Sequence, residues 1–171
     1  MKKIITRRFA IMAKGFGTVP ALSLSHYILS FAPSNHLKLQ KLVYYSEGWH
    51  LAYFERPLIH ENFEAWVHGP VVRSMWNKYK NFNMYTDLNL RPKTAERIKT
   101  KFKNILNTVQ IELLNDVINE YGDKSAYHLE SLSHSELPWK EARNGHSQSE
   151  RSRAIISKKT MKNYYQTLFS K

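Results

Sequence analysis

His50, His60 and His68 lie near one another in the chain, with Glu61 and Glu64 between them, and these five side chains could supply nitrogen and oxygen donors to a metal ion. Metal motifs repeat their donors at intervals that bring them onto one face, and no such interval occurs here, so no metal site is expected. General acid and base chemistry would need a histidine or carboxylates converging in a pocket, for which Glu47, Glu64 and His50 are the candidates. His68, beside Gly69-Pro70, reads as structural. With no cysteine in the chain, a thiol nucleophile, a thiolate metal site and disulfides are excluded, and a reducing cytoplasm fits. The chain also lacks Gly-x-Ser-x-Gly, His-Glu-x-x-His and any glycine loop that would cradle a phosphate. Neither an enzyme nor a bound cofactor is expected.

Trp49, Trp66, Trp76 and Trp139 are the next residues with a chemical use, since single-strand binders stack bases on aromatic rings among basic side chains. All four fall within apolar periodic stretches, which places them in the core. Lys38 and Lys41, one turn apart beside Gln40, project from the narrow polar side of a mostly buried helix, either as an ordinary solvated edge or as a partner-facing stripe. The formal net charge of +12 implies attraction to something acidic, either a protein or a nucleic acid. Lys2, Lys3, Arg7, Arg8 and Lys14 load the start, Arg97, Lys99, Lys101 and Lys103 the middle, and Arg151, Arg153, Lys158, Lys159 and Lys162 the later part.

The elements that must position these residues are mostly helical. A dense helix runs from Leu37 past His50, with Leu39, Leu42, Val43, Ser46, Trp49 and Tyr53 on one face and Tyr45, Leu51 and Ala52 leaving little of the other side polar. Ser34 or Asn35 caps it, and Arg56-Pro57 closes it. Leu24, Tyr27, Ile28 and Phe31 predict a short helix before it. Phe63, Ala65 and Val67 alternate with Glu64, Trp66 and His68, predicting a short strand or β-hairpin around residues 57–68 that ends at Gly69-Pro70. Helical spacing resumes at Val72, Met75, Trp76 and Tyr79. Between Ala95 and Lys103 a helix and an exposed edge strand compete, and the helix is preferred. Val109, Leu113, Val117 and Tyr121 share a helical face ended by Gly122 as a left-handed cap. Ser125 caps a short helix, Pro138 starts another, and Ser157 or Thr160 starts the last, with Met161, Tyr164, Tyr165 and Leu168 apolar. The expected fold is mainly α, a compact single-domain helical fold. Residues 1–22 are expected to be an extension, either disordered or weakly docked, or preceding a native start at Met12. The apolar run after Arg7-Arg8 is broken by Lys14, so neither a signal peptide nor a twin-arginine signal is complete. No apolar run approaches the ~20 residues of a membrane span.

Leu37-Lys-Leu-Gln-Lys-Leu-Val-Tyr-Tyr-Ser-Glu-Gly-Trp-His, Arg56-Pro-Leu-Ile and Phe63-Glu-Ala-Trp-Val-His-Gly-Pro-Val-Val, followed by Glu120-Tyr-Gly-Asp, Ser125-Ala-Tyr-His-Leu-Glu-Ser-Leu-Ser-His and Pro138-Trp-Lys-Glu-Ala-Arg, resemble the ordered blocks of the Panacea domain family. These are the SocA-like antitoxins, once grouped with a phage-associated protein. The resemblance implies a domain over residues 23–171 whose signature residues are Leu39, Gln40, Lys41, Leu42, Tyr44, Tyr45, Gly48, Trp49, Trp66, Gly69, Pro70, Trp139 and Arg143. It further implies a cognate protein toxin as partner and no reaction, with delivery to a ClpXP-type protease in one branch. The family more often has proline where Arg73 stands. A nucleic-acid-binding phage or plasmid regulator is the alternative that the positive charge allows.

Overall fold

The computed structural model describes residues 15–147 and 149–170, with eight helices and one hairpin among them. The Arg7-Arg8 pair, Lys14 and the Met12 start lie outside the described residues. Helix α1 (Ala21–Leu29) leads into the long α2 (His36–Phe54), then a hairpin of β1 (Glu64–Trp66) and β2 (Gly69–Val71) and the short α3 (Arg73–Tyr79). Helices α4 (Pro92–Ile105), α5 (Thr108–Tyr121), α6 (Ala126–Ser135), α7 (Leu137–Ala142) and α8 (Lys158–Thr167) follow, with a final 3₁₀ turn over Leu168–Ser170.

Helix α2 is buried on nearly its whole circumference because α1, α5, α6, α8 and β2 all pack on it. Asn35 caps it by accepting from the Lys38 amide at 2.9 Å, and Glu55 ends it in the left-handed region at φ 55°. At Gly48 the α8 helix comes so near that a Cβ would lie 2.5 Å from the Tyr165 ring. Glycine is required there by packing.

Residues 95–103 are helical, within α4, whose first turn is opened by Pro92. Asn107 and Gln110 form a reciprocal capping box at the start of α5. Gly122, expected to be left-handed, has φ −70° instead. Its carbonyl accepts from Lys38 Nζ at 2.5 Å, so the end of α5 is satisfied by a cation without a left-handed turn.

The hairpin lies later than the strand expected over 57–68. Glu64 pairs with Val71, Ala65 with Pro70 and Trp66 with Gly69, so Gly69-Pro70 opens the second strand. Residues 57–63 form no strand because their backbone is bound elsewhere: the Leu58 and Ile59 amides donate to Glu47 Oε2 at 2.8 and 3.0 Å, and the Leu58 carbonyl accepts from Val19 at 2.9 Å.

Residues 15–22, read from sequence as part of the extension, are integrated into the domain. Val19 is 1% exposed, and the Gln110 side chain brackets the Gly17 peptide, accepting from its amide at 3.0 Å and donating to its carbonyl at 2.8 Å. Glu61 accepts from the Ala21 amide at 2.9 Å and so caps α1 from another part of the chain. A stretch too short for visible periodicity is thus held by partners distant in sequence.

Candidate interaction groove

The sequence-predicted metal and acid–base candidates are not brought together. His50 is buried, its Nδ1–H donates to the Arg56 carbonyl at 2.6 Å, and its Nε2 accepts from Gln110 at 2.9 Å. Burial holds its pKa down at about 4, which fits a neutral ring that staples α2 to its neighbours. His60 lies near the Thr18 hydroxyl, and His68 is exposed and 3.1 Å from Glu130. Glu47 is buried and anchors the Leu58–Ile59 backbone with Lys158 Nζ 2.9 Å from its other oxygen; burial raises its pKa against that opposing charge. Among the described residues no group of three or more histidines and carboxylates could hold a metal.

Four of the residues that the family resemblance singles out, Gln40, Lys41, Trp139 and Arg143, instead converge on the hairpin. Three of its carbonyls, and that of Val72 just after it, each accept from one of these side chains: Ala65 from Arg143 at 3.0 Å, Trp66 from Trp139 at 3.0 Å, Pro70 from Lys41 at 3.4 Å and Val72 from Gln40 at 3.2 Å. Gln40 also accepts from the Val72 amide at 2.8 Å, so its amide replaces a neighbouring strand at the end of β2. Gly69 has φ +92°, and a Cβ there would meet Lys41 Cε at 2.7 Å and Ser133 Oγ at 3.0 Å. Leu39, Leu42, Tyr44, Tyr45 and Trp49 fill the core around these polar groups.

This corrects the stripe read from Lys38 and Lys41. Lys41 is 1% exposed, points under the hairpin and has its pKa lowered to about 8 by burial. Lys38 is half-buried and engaged with Gly122. Helical spacing places the two on one side, but it cannot show that α6 and the hairpin cover the second.

On the far side of β1 the chain returns antiparallel over residues 154–156. The Ala65 amide donates to the Ala154 carbonyl and the Ile156 amide to the Phe63 carbonyl, both at 2.8 Å, and Arg143 Nη2 holds the preceding turn through the Ser147 and Glu150 carbonyls. Between this return segment, the Val67-His68 turn and α3 lies a cleft of about 560 Å³. Trp66, Arg73 and Trp76 form one wall, and Arg151 and Arg153 the other. A second cleft of about 460 Å³, lined by Glu130, His134, Trp139 and Lys140, shares Val67, His68 and Ser149 with the first, so a groove runs across the hairpin tip.

The groove is only partly neutralised. Arg73 forms a two-bond pair with Glu64 at 2.7 and 2.5 Å, while its guanidinium covers the Trp66 ring at 5.2 Å. Although burial pushes the Glu64 pKa up, the hydrogen bonds from Arg73 and Trp66 and the positive charge nearby hold it below the usual range. Arg151 and Arg153 are exposed, and among the described residues neither has a carboxylate in ion-pair contact. Trp66 and Trp76, expected in the core, are half-buried and meet edge to face at 5.2 Å. The alternation of Arg151, Arg153 and Ile155 with the more buried Ser152, Ala154 and Ile156 is the period-two signal that would have marked the return segment, had the arginines not been read only as charge.

No helix among the described residues is long and apolar enough to cross a membrane. No curated protein and no solved structure matches the chain. The model of the antitoxin SocA-like Panacea domain matches residues 39–140, a span running from the helix that grips the hairpin to α7, which carries Trp139, and the chain therefore belongs to the SocA-like antitoxin family.

Proposed function

We propose that this protein is a non-enzymatic, cytoplasmic antitoxin that neutralises a cognate protein toxin by direct, stoichiometric contact. Family membership supports a toxin as partner, and the observation that carries direct contact is the concentration of buried polar side chains under one hairpin. A buried polar group costs free energy unless it is paired, and here four such groups hold two short strands in one position. That investment gives a small element a fixed shape against which a partner can dock.

The test is co-expression with the toxic product of the adjacent gene. Growth should be restored, and the two proteins should elute as one complex of fixed ratio. Restored growth with a falling toxin level that depends on a ClpXP-type protease would assign the adaptor route instead. Failure to restore growth with any neighbouring product would remove the antitoxin reading.

The formal net charge of +12 favours one second reading, a regulator that binds nucleic acid. Duplex affinity would then fall steeply and linearly with the logarithm of salt concentration, with a slope set by the phosphates neutralised.

A further inference from the structure

We infer that the cleft between the hairpin and the return segment takes an extended, acidic stretch of the partner protein, with carboxylates against Arg151 and Arg153 and an apolar side chain against Trp66 and Trp76. This rests on the antitoxin reading for the identity of the partner, but its chemistry is drawn from the cleft alone.

The cleft carries charge on one wall and aromatic surface on the other. Arg73 is already neutralised by Glu64, so the positive charge left for a ligand is that of Arg151 and Arg153. Both are exposed, and both stand in a segment fixed by hydrogen bonds to β1 on one side and by Arg143 at the preceding turn. With the backbone anchored, only side-chain freedom remains to be lost on binding, which favours a carboxylate at a set position. Ile155 is 55% exposed and follows the arginines on the same face by strand alternation, so the basic wall continues into an apolar one. An extended chain of alternating acidic and apolar residues, which sends its two side-chain types to opposite faces, matches a cleft with arginines on one wall and tryptophans on the other.

A nucleic acid fits less well. Base stacking needs an open ring face, whereas the Trp66 face is covered by the Arg73 guanidinium and Trp76 meets Trp66 at an interplanar angle of 64°. Glu130 lines the neighbouring cleft, away from the two arginines, where a phosphate backbone running the length of the groove would meet its charge and a short peptide held at the arginine wall would not. A peptide carboxylate can settle against the two arginines alone.

The experiment compares the intact chain with R151E/R153E and, as a charge-matched control, K93E/K101E, whose lysines are exposed on α4. Each is melted, tested for growth rescue with the neighbouring toxin, and titrated with a fluorescein-labelled peptide alternating glutamate and leucine, its lysine–leucine counterpart, and short duplex DNA. R151E/R153E should melt like the wild type, lose rescue and bind the acidic peptide more than about tenfold more weakly, while K93E/K101E keeps both. If R151E/R153E melts early, R151Q/R153Q replaces it with the same expectation. Wild-type rescue and peptide affinity in a folded R151E/R153E would overturn the inference, as would loss of duplex binding with peptide binding intact. If the wild type rescues no neighbouring toxin but peptide binding still depends on both arginines, the antitoxin reading fails and the acidic-peptide site stands.

Discussion

The two sides of the hairpin use the same residue types for opposite ends. Beneath it, Trp139 and Arg143 are buried and spend their N–H groups on the Trp66 and Ala65 carbonyls, and deeper in the core Trp49 donates to the Tyr121 hydroxyl at 3.1 Å. Above it, Trp66 and Trp76 are half-exposed, and among the described residues Arg151 and Arg153 form no ion pair with a carboxylate. A tryptophan or arginine is therefore not structural or functional by type: its partners decide, and the hairpin backbone is the boundary.

The largest break in that comparison should come from Trp49→Ala. Trp49 is 1% exposed, touches Tyr165 at a ring distance of 5.1 Å and leaves the Tyr121 hydroxyl unpaired when removed. A loss of about 3–5 kcal/mol is expected, read as early melting. Wild-type melting would show that the core closes over the gap and that the buried side is less specific than its geometry suggests.

Deletion through residue 20 should come next. It removes the buried Val19 side chain and its bond to Leu58, and it uncaps Gln110. Burial of one such side chain is worth about 1.5–3 kcal/mol and each hydrogen bond about 1 kcal/mol, gains offset in part by the conformational entropy lost in ordering the segment, so a net destabilisation of about 3 kcal/mol is expected. Deletion that stops before Gly15 is the comparison, and equal melting of the two truncations would refute the docking role of residues 15–20.

The difference between these regions also explains what the sequence could reveal. The helices were legible because apolar spacing and caps are local: Asn35, Ser125 and Ser157 cap where their chemistry predicts. Family membership was legible in the ordered blocks around Leu37, Phe63 and Pro138. The docking of Val19 and the burial of Lys41 were not, since both depend on partners dozens of residues away. The groove was missed for a related reason. Periodicity reports that Trp66 and Trp76 share apolar surroundings, but not that the return segment stops short of covering them. Glu136 was also unnoticed, although it is a buried carboxylate whose Oε2 accepts from the Tyr165 and Tyr44 hydroxyls at 2.9 and 3.2 Å.

Glu136 sharpens the comparison through pH. Burial raises its pKa to about 7 from an ordinary 4.5, against the opposing hydrogen bonds from the tyrosines. The folded state thus holds a proton that the unfolded chain has lost, and the resulting stabilisation is complete below about pH 4.5 and is lost as pH rises through about 7. His50 works in the other direction: its depressed pKa of about 4 gives stability that is present above pH 6.5 and lost as pH falls through 4. Glu136→Gln keeps an acceptor for the tyrosines without the charge, so its melting temperature relative to wild type should climb between about pH 5 and pH 8. A constant difference across that range would mean that Glu136 does not titrate there.

The smallest effect on stability, and the one that decides whether the upper face is a surface for binding, is expected from Trp76→Ala. Trp76 is half-buried, and its ring meets Trp66 edge to face at 5.2 Å and His36 at 5.9 Å. Such an aromatic pair is worth about 0.5–1.5 kcal/mol beyond area, so a shift of a few degrees in melting is expected, in contrast to Trp49→Ala. Binding should respond more than folding, because an aromatic beside an uncovered cleft is the kind of residue that carries interface energy. Toxin affinity and growth rescue, measured beside the melting curve, separate the cases. A collapse of stability as large as that of Trp49→Ala would mean that α3 and the hairpin form one core and that the cleft is incidental to it. Unchanged melting with unchanged binding would leave Trp76 as ordinary surface and confine the contact to the arginine wall. Retained folding with weakened binding would show that the same hairpin is rigid on one side so that it can be read on the other.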